Sequence, residues 1–143
     1  MTKQALDSIV RIHKALGHPV RLRILAMLRE GPLCVCQMNA VVGLAPSTIS
    51  QHLSELRNAE LISERKEGRW VEYRLADGED EILGPIWDRL EDDPVRRSDA
   101  VLLEALRDVS LEELCGAGLD LSRLGKHVVA AVARADAIRG EAS

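Results

Sequence analysis

The sequence predicts a mainly α-helical fold carrying one small β-hairpin, and three observations support that expectation. Apolar residues recur at helical spacing along most of the chain. The period drops to two only over Leu61–Arg65 and Trp70–Leu75, on either side of Lys66-Glu67-Gly68-Arg69. Hydrophobic residues make up 46% of the 143, but aromatics only 2%, and there is no Phe. A core of Leu, Ile, Val and Ala suits packed helices better than a large sheet.

Leu6, Ile9, Val10, His13 and Leu16 imply a first helix ending near Gly17. Pro19 suits the first turn of a second, Val20 to Arg29, which Gly31-Pro32 stops. A third apolar segment runs from Leu33 to Val42, up to Gly43. Pro46 then opens a fourth helix that continues to Asn58. The hairpin follows, with Val71, Tyr73 and Leu75 on one face of its second strand and Trp70, Glu72 and Arg74 on the other. The acidic stretch from Asp77 to Glu81 reads as a loop, and Ile82, Leu83, Ile86 and Leu90 as the stripe of a further helix.

Residues 1–93 are expected to form one domain and residues 94–143 a helical C-terminal extension. In the extension, Ser98 or Asp99 is a candidate cap for a helix carrying Leu102, Leu103, Leu106 and Val109. Ser110 with Glu113 matches a capping box for a short helix ending at Cys115-Gly116. One last Ala-rich helix is expected within Leu119 to Arg139.

The formal net charge of −4 argues against a nucleic-acid partner until the chain is divided. Residues 1–75 hold 11 Lys/Arg against 7 Asp/Glu, whereas residues 76–143 hold 8 against 16. That asymmetry suggests a binding half and a solvating half. No apolar run approaches the roughly 20 residues of a membrane span. The N-terminus lacks the apolar run and cleavage site of a signal peptide, so a cytoplasmic location is expected. No Ser/His/Asp arrangement, phosphate-cradling loop or HExxH-type motif supports an enzyme.

Helix, short turn, helix, hairpin is the order of a winged helix-turn-helix. At about 100° per residue, turning the Ile49/Leu53/Leu56 stripe inward places Ser47, Gln51, Ser54 and Asn58 opposite it. Thr48 and Ser50 flank that face. It is small, uncharged and rich in hydroxyl and amide groups, where a merely solvated face would carry Glu and Lys. Gln reads adenine bidentately, and Ser or Thr bond bases or phosphates. His52 sits nearer the shoulder, with a structural role and a DNA contact both open. Lys66 and Arg69 at the hairpin, with Arg65, are candidate phosphate or minor-groove contacts.

The run from Leu16 to Leu75, with HPVRLRIL, STISQHLSEL and GRWVEYRL within it, resembles the ArsR/SmtB family of metal-responsive repressors. The resemblance covers roughly residues 5–92. It implies a homodimer, with the first helix and the Ile82–Leu90 helix packed across the two-fold axis. It also implies repression of a metal or metalloid resistance operon through operator double-stranded DNA.

Three cysteines are too few for a disulfide scaffold, which leaves buried spectators, metal ligands or redox sensors. LCVC, at Leu33–Cys36, is similar to the thiolate motif of arsenite-responsive members. Trivalent arsenic (arsenite or methylarsenite) and antimonite are thiophilic, and thiolates favour soft ions. Cys34 lies near a helix N-terminus, where the dipole lowers a thiol pKa. Two residues apart on a helix, Cys34 and Cys36 point about 200° from one another, so chelation by that pair requires the helix start to bend. The third cysteine usual in such sensors is replaced by Asn39, leaving either two thiolates or Cys115 as the third. The Ile82–Asp93 segment has no His for a zinc-type site, and His13, His18 and His127 form no close pair. Cadmium or lead remains open as inducer, and a disulfide-based redox sensor is the other reading.

Overall fold

Pro19 at a helix start and glycines at helix ends lead the chain through eight α-helices, counted among the described residues. The computed structural model describes residues 2–78 and 80–141. The order is α1 (Thr2–Leu16), α2 (Pro19–Arg29), β1 (Leu33–Cys34), α3 (Val35–Val42), α4 (Pro46–Asn58), β2 (Ile62–Glu67), β3 (Trp70–Leu75), α5 (Asp80–Leu90), α6 (Pro94–Leu106), α7 (Leu111–Ala117) and α8 (Lys126–Gly140). A short 3₁₀ turn, Leu121–Leu124, precedes α8, which is the Ala-rich helix expected within Leu119 to Arg139 and runs one residue beyond it.

The helix-turn-helix is α3, a three-residue turn and α4. Gly43 ends α3 at φ +81, a conformation that costs a residue with a Cβ, and its N–H reaches back to the Asn39 carbonyl at 2.8 Å. Pro46 opens α4 at the position where its missing N–H costs nothing. Ile49, Leu53 and Leu56 are fully buried, as their spacing predicts, each worth about 1.5–3 kcal/mol of transfer free energy.

The hairpin pairs β2 with β3 antiparallel, from Ile62 opposite Leu75 to Glu67 opposite Trp70. Gly68 and Arg69 form its two-residue tip, with Gly68 at φ +61. The sheet has a third strand that the sequence pattern hides. Leu33–Cys34 pairs with the far side of β3, giving the order β1-β3-β2. A two-residue strand has no periodicity to read, so Leu33–Val42 reads as helical throughout.

The extension contributes to the same apolar core as the rest of the chain: Leu102, Leu103, Leu106, Leu114, Val128, Ala131 and Ala135 join Ile24, Leu25, Met38, Ile49 and Leu56. Neither Ser98 nor Asp99 caps a helix. Asp93 does so, its carboxylate accepting from the Val95 and Arg96 N–H groups, and α6 starts six residues earlier than a cap at Asp99 would place it. Ser98 and Asp99 lie inside α6, buried. Asp99 accepts two hydrogen bonds from Arg23 of α2, from Nε to Oδ2 and Nη2 to Oδ1, both 2.8 Å. The Arg139 Nε of α8 donates to Ser98 Oγ at 2.7 Å. The Asp99 hydrogen bond lifts the Arg23 pKa above its ordinary value, against the opposing effect of burial.

On α1, Ile12 and Ala15 turn inward, while Leu6, Ile9 and Val10 stand 65%, 51% and 47% exposed. The apolar residues of the first helix are thus split between an inward face and an exposed one.

Candidate functional site

Helix α4 presents Ser47, Ser50 and Gln51 to solvent, with Thr48, His52 and Ser54 half-buried along the flanks. None of the side chains of Ser47, Thr48, Ser50, Gln51 or Ser54 engages a hydrogen-bond partner among the described residues. Their donors and acceptors therefore remain available to a ligand laid along the helix.

His52 is held differently. Arg21 of α2 donates from Nε to His52 Nδ1 at 3.2 Å, and the His18 ring lies 4.4 Å away, centroid to centroid. Burial lowers the His52 pKa, and the neighbouring His18 and Arg21 charges lower it further. With Nδ1 accepting, the proton of the neutral ring sits on Nε2. His18 in turn caps α2, its Nδ1 accepting from the Val20 N–H at 3.1 Å. The His18–Arg21–His52 cluster thus sets how α4 lies on α2. The sequence places His52 at the shoulder but holds no sign of the Arg21 contact.

The wing carries Lys66 and Arg69, both exposed. Lys66 forms no ion pair among the described residues. Arg69 does: its guanidinium lies over the Trp70 ring, 5.0 Å from the centroid, and its Nη2 is bonded to Glu112 Oε1 on α7. Arg65 pairs with Glu67 along β2 at 2.8 Å. A cation expected to face outward is therefore shared with a carboxylate of the extension. Glu112 lies 43 residues away in sequence, and no local pattern marks it as a wing contact.

The cysteines are arranged differently from the expected Cys34–Cys36 pair. Cys36 in the first turn of α3 is bonded to Cys115 of α7, across 79 residues of sequence, with a Cα–Cα distance of 5.4 Å. Cys34 is the one free cysteine, buried in β1 and at the N-cap of α3, its N–H donating to Gln37 Oε1 at 2.9 Å. The lowered thiol pKa expected of Cys34 is not found. Burial raises it, and Glu72, directly opposite on β3, raises it further. Asn39 is buried as well, its amide turned so that the nitrogen faces the Val35 and Cys36 carbonyls. Among the described residues no three His, Cys, Asp or Glu side chains converge as a metal-holding group.

Residues 18–64, from the start of α2 into β2, match the family described as bacterial regulatory protein, arsR family. The chain is similar to the homodimeric winged helix-turn-helix DNA-binding domain of Mb0332 from Mycobacterium bovis, a possible ArsR-family transcriptional regulator. The identity is 30%, the TM-score 0.57, and the likeness covers 64% of this chain and 85% of that one. The chain belongs to the ArsR family. It is 42% identical over 65 residues to the arsenic resistance transcriptional regulator ArsR1 of Pseudomonas putida, covering 45% of this chain and 51% of that one. It is 40% identical over 68 residues to the arsenical resistance operon repressor of Escherichia coli, covering 47% and 58% respectively. The chain thus spans little more than half the length of these curated relatives. The extension of this ArsR-family chain, with Glu112 and Cys115, lies outside the residues 18–64 that match the family.

Proposed function

We propose that this protein is a homodimeric ArsR-family repressor that binds operator double-stranded DNA and dissociates when trivalent arsenic occupies its thiols. The observation that carries the DNA-binding half is the exposed face of α4, where Ser47, Ser50 and Gln51 have no hydrogen-bond partner among the described residues, in a chain whose wing carries Lys66 and Arg69. Gln51 and the hydroxyls of Ser47, Thr48, Ser50 and Ser54 read base edges or phosphates, and the His52 Nε2–H is a further donor at the shoulder. Lys66 and Arg69 hold phosphates. Gln51→Ala is expected to relax base preference, while Lys66→Ala weakens binding to all sequences and lowers the salt slope by about one per wing. Anisotropy titrations against matched and scrambled duplexes at several salt concentrations measure both. Unchanged sequence preference in Gln51→Ala would overturn this orientation of α4.

The half-exposed stripe of Leu6, Ile9 and Val10 supports the dimer, because a second copy is what such a face on α1 lacks. Sedimentation at micromolar protomer should give the dimer mass, and Ile9→Glu should shift it toward the monomer. A monomer that binds its operator normally would contradict this.

For the inducer, reduced Cys36 and Cys115 are two thiolates on facing helices, which suits a thiophile with two open positions, such as methylarsenite. Arsenite and antimonite offer three positions; Cys34, two residues from Cys36 but buried in β1 and not converging with the pair, would serve as the third thiol only after β1 shifts toward it. Soft ligation of this kind also accommodates cadmium or lead. The Cys36–Cys115 bond supports a redox reading too, since a thiol pair already within bonding distance closes on oxidation without rearranging the fold.

A further inference from the structure

Helix α7 touches both the thiol pair and the wing. It is seven residues long, too short to be stable by itself, and Leu114 is its one fully buried side chain. Glu112 and Cys115 lie three residues apart, hence about 60° from one another around the helix and about 4.5 Å along it. Fixing Cys115 to Cys36 therefore fixes where Glu112 stands. It stands against Arg69, at the wing tip. Both side chains of that ion pair are exposed, 64% and 72%, so the pair has little hold of its own in competition with DNA phosphates. Tethered through Cys115, however, Glu112 is present at high effective concentration.

We propose that α7 is an acidic latch on the wing: closing the Cys36–Cys115 bond seats Glu112 on Arg69 and withdraws that cation from DNA. The proposal rests on the reading of Arg69 as a phosphate contact. The closing step needs a two-electron oxidant, and a peroxide supplies it. One thiolate attacks the peroxide oxygen, giving a sulfenic acid and releasing an alcohol or water. The second thiolate then displaces the sulfenic oxygen as water, so two thiols yield one disulfide. Cys36 and Cys115 are both partly exposed, which gives the oxidant access.

The test uses the full chain, reduced with a phosphine or treated with hydrogen peroxide, with the disulfide verified by peptide mass. Binding to a duplex from its own promoter and to a random duplex is followed by anisotropy across salt. The oxidised protein is expected to bind both duplexes roughly tenfold to a hundredfold more weakly near 0.1 M salt, with the salt slope reduced by about one per wing. Glu112→Gln, with the bond formed, should recover the affinity and slope of the reduced protein. Cys115→Ser should not respond to peroxide. If oxidised Glu112→Gln remained as weak as the oxidised unsubstituted protein, the latch would be overturned. It is equally overturned if the bond forms and neither affinity nor slope changes. A reduced protein that binds no duplex would instead remove the DNA-binding reading, and the latch with it.

Discussion

Under a phosphine reductant, Cys36→Ser and Cys115→Ser are each expected to stay on DNA through a trivalent arsenic titration that releases the unsubstituted protein. Losing one thiol turns an intramolecular second bond into none. Second bonds of this kind multiply affinity by about 10²–10⁴, so the concentration for half-release should rise by at least roughly a hundredfold. Both variants should bind DNA in the absence of inducer, because neither residue lies on the α4 face or the wing tip. Cys34→Ser should separate the ligands. Methylarsenite needs only the facing pair and should still act, whereas arsenite should require a higher concentration. Anisotropy with both arsenicals across the three variants measures this. Normal release in Cys36→Ser or Cys115→Ser would place the inducer site elsewhere in the chain.

Asp99→Ala should be among the most destabilising single substitutions in the extension. It leaves the Arg23 guanidinium, whose side chain is only 22% exposed, without the carboxylate that meets it through two 2.8 Å bonds. Removing one partner of a buried pair costs about 3–5 kcal/mol, most of it the burial of the orphaned charge. For a chain of this size that corresponds to a Tm lower by roughly 10 °C. Asp99→Asn keeps an acceptor and should lose less. Urea or thermal unfolding at fixed protomer concentration tests this, since dimerisation makes the midpoint concentration-dependent. A loss below about 1 kcal/mol, the range of a surface pair, would mean that α6 contributes little to holding α2.

Much of this protein is legible because its elements are periodic. The Ile49/Leu53/Leu56 stripe has one helical solution, and with it the outward positions of Ser47 and Gln51 follow from the pitch alone. The hairpin is equally local: a period of two broken at Gly68 leaves few alternatives for the wing. The family resemblance likewise rests on contiguous runs of residues. The capping of α7 by Ser110 needs only three residues of context.

The rest depends on which distant residues meet, and periodicity carries no information about that. Helix α6 begins at Pro94 because Asp93 caps it, and Ser98 and Asp99 are inside it because Arg139 and Arg23 arrive from α8 and α2 to satisfy them. Read in isolation, small polar residues ahead of an apolar run look like caps. The thiol pairing shows the same limit. Cys34 and Cys36 are neighbours in sequence, but Cys34 belongs to a strand facing Glu72 and Cys36 to a helix facing Cys115. Burial and Glu72 raise the Cys34 pKa, and both arise from contacts that the sequence does not show. Local spacing determined the α4 face and the wing. Only the packing of the extension against α2 and α3 decided which thiols meet and which carboxylate stands at the wing tip, because those contacts arise from chain segments brought together by burial.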